Sequence, residues 1–83
     1  MGYKMDTREK ILEFFKNNKK ADGLTYDTEL FKGNYVNSLF ALQMVMFIEK
    51  EFHIKLKHKD INEKNFHTIN AIAELVEGVL AGN

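Results

Sequence analysis

Apolar residues return with a helical period in several stretches of this 83-residue chain, and the period fades after the first of them. The first stretch opens at Asp6-Thr7-Arg8-Glu9, which has the form of a capping box. Asp6 is placed to accept from an early backbone N–H, and Glu9 stands at the third helical position. Ile11, Leu12, Phe14 and Phe15 supply the apolar face, and Asn17-Asn18-Lys19-Lys20 ends the element with lysines near the negative end of its dipole. A second helix is expected from near Ser38, a good N-cap type, to about His53, with no Gly or Pro inside it. A short helix is expected around residues 60–64. Thr68 then caps a last helix with Ile69, Ile72, Ala73, Val76, Val79 and Leu80 on one face, before a frayed end at Ala81-Gly82-Asn83.

Between the first two helices, from Ala21 to Asn37, turn formers dominate: Asp22-Gly23, Asp27 and Gly33-Asn34. Leu24, Tyr26, Leu30, Phe31, Tyr35 and Val36 are irregularly spaced among them, which predicts a long loop pinned to the core by apolar side chains. Loops of this length are uncommon in small domains and tend to be functional.

The second helix is apolar on more than one side. At about 100° per residue, Ala41, Val45, Ile48 and Phe52 define the expected core face, flanked by Leu42 and Met44. Gln43 and Lys50 mark the wet face, bordered by Leu39 and Met46. Phe40 and Phe47, a heptad apart, point away from the core direction. Two readings of these rings stand: loop residues cover them, or they form an exposed docking patch with Gln43 and Met46.

Composition narrows the classes. A chain of this length makes one domain with a small core. It has no cysteine, so neither disulfides nor a thiolate metal site. No apolar run approaches the roughly 18 residues that span a membrane. Met1-Gly2-Tyr3-Lys4-Met5-Asp6 has neither a signal-peptide nor a myristoylation pattern, so a cytoplasmic location is expected. Twelve basic and twelve acidic residues balance, which argues against nucleic acid or an anionic membrane as partner. The lysines at 16, 19 and 20 and at 55, 57 and 59 are interspersed with acids, as on a solvated surface. His53, His58 and His67 lack catalytic or metal-ligand spacing and read as surface histidines.

Gly33-Asn34-Tyr35-Val36-Asn37-Ser38-Leu39 resembles the signature loop of acyl and peptidyl carrier proteins, which usually read Asp-Ser-Leu. Phe47-Ile48-Glu49-Lys50-Glu51-Phe52-His53-Ile54 is similar to the end of that family's second helix. Asp60-Ile61 and Phe66-His67-Thr68-Ile69 resemble its short third helix and the start of its fourth. The resemblance implies an all-α four-helix bundle, with three longer helices and one short one and a long loop between the first two. It implies a non-catalytic carrier whose Ser38, flanked by Asn37 and Leu39, receives 4'-phosphopantetheine from coenzyme A through a phosphopantetheinyl transferase. The terminal thiol of the arm would hold an acyl or aminoacyl group as a thioester and present it to acyl-loading, acyl-transferring or modifying enzymes. The partner-facing residues would be Phe40, Gln43, Met46 and Phe47, and a monomer is expected. Taken alone, Ser38 is also an ordinary helix cap.

Two departures from the family pattern matter. Asn37 stands where the family usually has Asp, and Phe40, Gln43, Phe47 and Lys50 interrupt the acidic character typical of fatty-acid carriers. Val36-Asn37-Ser38-Leu39-Phe40-Ala41-Leu42-Gln43 is most similar to discrete carriers of specialised polyketide or hybrid peptide–polyketide pathways, including those for hydroxymalonyl or methoxymalonyl units. D-alanyl carriers are the next candidate. A carrier-like interaction module without a prosthetic group is a third.

Overall fold

The computed structural model describes residues 5–82; residues 1–4, on which the expected absence of a targeting signal mostly rests, and Asn83 lie outside the described residues. The described residues are all-helical, in the order α1 (Thr7–Asn17), α2 (Ser38–Phe52) and α3 (Ile69–Leu80), with a 3-10 turn at His58–Asp60 before α3.

The capping box of α1 forms as its sequence predicts. Glu9 N–H donates to Asp6 Oδ1 at 2.9 Å, and Asp6 N–H donates to Glu9 Oε1 at 2.9 Å. Thr68 caps α3 by accepting from Ala71 N–H at 3.0 Å. The face of α3 holds through Ile69, Ile72, Ala73 and Val76, all buried, but Leu80 in the last turn is exposed. Thr7 Oγ1 donates to Glu77 Oε2 at 2.9 Å and joins α1 to α3 across the bundle.

The expected short helix over residues 60–64 does not form. The 3-10 turn lies earlier, at His58–Asp60, and turns fill most of the path to α3. Asparagine side chains account for this. Asn62 Oδ1 accepts from Asn65 N–H, Asn62 Nδ2 donates to Lys59 O, and Asn65 Nδ2 donates to Asp60 O. These bonds compete with the helical ladder for the same backbone groups.

The long loop over residues 18–37 is irregular but tied down. Leu30, wholly buried, donates its N–H to His67 O at 2.8 Å and accepts from Tyr35 N–H at 2.9 Å. Asn70 N–H donates to Tyr26 O at 3.1 Å, and Asn70 Nδ2 donates to Asp27 Oδ1 at 2.6 Å. Loop backbone that would otherwise face the core unpaired is thereby satisfied by the α3 side of the bundle. Gly33 has a steric role: a Cβ there would lie 2.9 Å from the Tyr35 ring and 3.0 Å from Glu29 O.

The inward face of α2 is rotated from the expected one. Phe40, Met44, Val45 and Ile48 are buried, Ala41 and Phe52 are half-buried, and Leu42 is exposed. The aromatic side chains of α1 set this rotation. Phe14 stacks on Phe47 at 4.6 Å and on Phe40 at 5.3 Å between ring centroids, and Phe15 packs tilted against Phe40 at 5.3 Å. One core cluster unites α1, α2, α3, the loop residues Leu30 and Val36, and Leu56 and Phe66.

Candidate functional site

The start of α2 is capped by Asn37, not by Ser38. Asn37 is extended (φ −121°, ψ −177°), and its Oδ1 accepts from Phe40 N–H at 2.8 Å. Ala41 N–H donates to Asn37 O at 2.8 Å. Ser38 therefore takes the first helical position, where its own N–H and that of Leu39 have no intrahelical acceptor. Asn serves as well as Asp in this cap, so the departure at position 37 removes a charge without removing the cap.

The hydroxyl inventory singles out Ser38, the only serine in the chain. Thr7 donates to Glu77, Thr25 and Thr28 hydrogen-bond one another, and Thr68 caps α3. Ser38 is exposed, and among the described residues its Oγ makes no hydrogen bond. A cleft of about 360 Å³ opens beside it, between the first turns of α2 and the turns after residue 60. Phe31, Leu42, Ile61 and Phe66 give the cleft apolar walls, and Asn62 and Glu63 also line it.

The partner-facing residues expected from the sequence divide. Gln43 and Met46 are exposed, Met46 at 62%. Phe40 is a correction: at 4% exposure it is a core side chain, packed on Phe14 and Phe15 with Lys20 Nζ 5.0 Å from its ring centroid. A ring so enclosed has no face to offer a partner. Phe47 is half-buried, with its ring stacked on Phe14. The outward apolar face of α2 instead consists of Leu39, Leu42 and Met46, at 67, 57 and 62% exposure. Their i, i+3, i+7 spacing is a helical stripe in its own right and was the available signal. Phe31, Ile61 and Phe66 reach the cleft from segments without helical period, so no local pattern marked them.

The histidines are dispersed. His53 is the left-handed C-cap of α2, His58 begins the 3-10 turn, and His67 Nδ1 lies 2.7 Å from Lys64 O. Among the described residues no three His, Asp or Glu side chains gather as a metal site, and no helix is long and apolar enough to cross a membrane. No family model matches this chain, and neither a curated protein nor a solved structure matches it.

Proposed function

We propose that this chain is a non-catalytic carrier protein, joined through Ser38 Oγ to a 4'-phosphopantetheine arm that a phosphopantetheinyl transferase takes from coenzyme A. The observation that carries this reading is the free, exposed hydroxyl of the only serine, at the first position of a capped helix beside an apolar cleft. The residues present fit a phosphodiester at this atom. The unpaired N–H groups of Ser38 and Leu39 and the positive end of the α2 dipole favour an anion there, and neutral Asn37 does not oppose it. Phe31, Leu42, Ile61 and Phe66 provide apolar surface for the aliphatic part of an arm. When bound, the arm supplies a thiol that carries an acyl group as a thioester, a group this cysteine-free chain does not itself possess.

On this reading the three α-helices and the 3-10 turn are a carrier bundle whose short helix is reduced to that turn. The chain's work is positional. Its rigid α2 start holds the attachment atom in solvent, and tethering raises the cargo's effective concentration at a docked acyl-loading, acyl-transferring or modifying enzyme. The pathway read from the 36–43 segment is a specialised polyketide or hybrid peptide one.

Incubation with coenzyme A and a broad-specificity phosphopantetheinyl transferase tests the attachment. The intact mass rises by one phosphopantetheine in the native chain and stays unchanged in Ser38→Ala. No rise with several different transferases refutes the carrier reading.

A further inference from the structure

The chain is neutral overall, but its charges are unevenly spread. From His53 to Lys59 five of seven side chains are lysine or histidine, and none is acidic. With Lys50, in the last turn of α2, they make a strip of six exposed basic groups: Lys50, His53, Lys55, Lys57, His58 and Lys59. The dipole of α2 favours cations at its end, which accounts for Lys50 and His53 but not for the three lysines beyond. None of the four lysines has an ion-pair partner among the described residues. The acids that flank the strip are engaged with other groups. Glu49 Oε2 accepts from Leu56 N–H at 2.9 Å, Asp60 Oδ2 accepts from Lys57 N–H at 3.3 Å, and Glu51 lies 3.6 Å from Lys10 Nζ. The first two of these hold the backbone of the strip, and Leu56, 7% exposed, anchors it in the core. Leu56 is buried between exposed Lys55 and Lys57, the alternation of an extended segment, which sets the two lysines roughly 7 Å apart. Lys57 and Lys59 also line a cleft of about 320 Å³ with Leu75, Gly78 and Val79 of α3, where Asp60 and Glu74 are the acids.

We infer that this strip docks a partner protein through an acidic extended segment, with carboxylates at Lys55, Lys57 and Lys59 and an apolar side chain in the cleft against Leu75 and Val79. Carboxylates on alternate residues of an extended segment repeat at roughly 7 Å, which matches the lysines. Other occupants fit less well. Asp60 and Glu74 in the cleft oppose a continuous polyphosphate, and residues 53–59 hold no arginine to read a base and no Phe, Tyr or Trp to stack on one. An anionic bilayer needs apolar side chains to insert, and no large apolar side chain of residues 53–59 is exposed. The strip begins at the far end of α2 from Ser38, about 18 Å along the helix axis, so a partner holds it without covering the start of α2. The inference stands apart from the carrier reading.

The test is an NMR titration of the unmodified, isotope-labelled chain with a synthetic peptide in which glutamate alternates with serine around one central leucine. The amides of residues 55–59 and of Val79 shift most. Raising sodium chloride from about 50 to about 500 mM weakens binding at least about tenfold, as screening of an exposed charged surface requires. Lys55→Glu with Lys57→Glu abolishes binding, and Lys55→Gln with Lys57→Gln, which removes the charges without adding any, weakens it at least about fivefold. Lys16→Glu with Lys19→Glu makes the same change of net charge at two exposed lysines elsewhere and leaves binding within about twofold. Circular dichroism shows the variants helical. Replacing the peptide's leucine by serine weakens binding, because the cleft against Leu75 and Val79 is left unfilled. The inference is overturned by equal weakening at the two lysine pairs, by the largest shifts falling elsewhere, or by no binding up to the peptide's solubility. Tighter binding of a DNA duplex or of phosphatidylserine vesicles than of the peptide also overturns it. Failure here leaves attachment at Ser38, which is read separately by mass, untouched.

Discussion

Replacing Phe40 by alanine tests the rotation of α2, on which the site depends. The ring is 4% exposed and lies between Phe14 and Phe15, with centroids 5.3 Å away in each case. A buried aromatic side chain removes about 150–250 Å² from water. At about 25 cal/mol per Å² that is roughly 4–6 kcal/mol as an upper bound, and measured Phe→Ala losses in cores are about 3–5 kcal/mol. A chain of this length has a total stability of about 4–12 kcal/mol, so Phe40→Ala removes a large fraction of it. Leu42→Ala, two positions on but 57% exposed, costs about 0.5 kcal/mol or less. Urea unfolding followed by circular dichroism measures both, with the native chain as reference. Phe40→Ala moves the midpoint far down or abolishes the transition, and Leu42→Ala barely moves it. Equal losses, or a loss below about 1 kcal/mol for Phe40→Ala, would refute the assignment of Phe40 to the core.

Other substitutions report on the elements that hold the site. Asn37→Ala removes the acceptor of Phe40 N–H and costs about 1 kcal/mol in denaturant unfolding, whereas Asn37→Asp keeps the cap and loses nothing. His53→Gly stabilises by about 1 kcal/mol, seen as a higher urea midpoint, because His53 ends α2 in the left-handed region at φ 56°. Gly33→Ala destabilises by about 1–3 kcal/mol through the clash with Tyr35 and the Glu29 carbonyl, and hydrogen exchange at Leu30 and Tyr35 accelerates.

What was legible in the sequence was local. The Asp6–Glu9 box and the Thr68 cap are readable because donor and acceptor lie three residues apart, and both form. The start of α2 lies near Ser38, as the sequence predicts, but the cap is Asn37, one residue before the expected one. Asn37 and Ser38 are both good caps, and backbone conformation decides between them. The inward face of α2 departs from the expected one for a different reason. Leu39, Phe40, Leu42, Met44, Met46 and Phe47 put apolar groups nearly all around the helix, so periodicity alone does not choose a side. Phe14 and Phe15 choose it, from a helix far away in sequence. The same limit applies to the cleft, whose far wall of Phe31, Ile61 and Phe66 is assembled by the loop bonds of Leu30 and the asparagine turns. The short helix over residues 60–64 was lost to those asparagines.

Carrier chemistry in this chain rests on one atom, Ser38 Oγ. Tandem mass spectrometry of proteolytic fragments after treatment with transferase and coenzyme A locates the added group residue by residue. A single phosphopantetheine is expected on the fragment containing Asn37-Ser38-Leu39, localised to Ser38 and absent in Ser38→Ala. Modification at any other residue, or an unmodified fragment with every transferase tried, contradicts it.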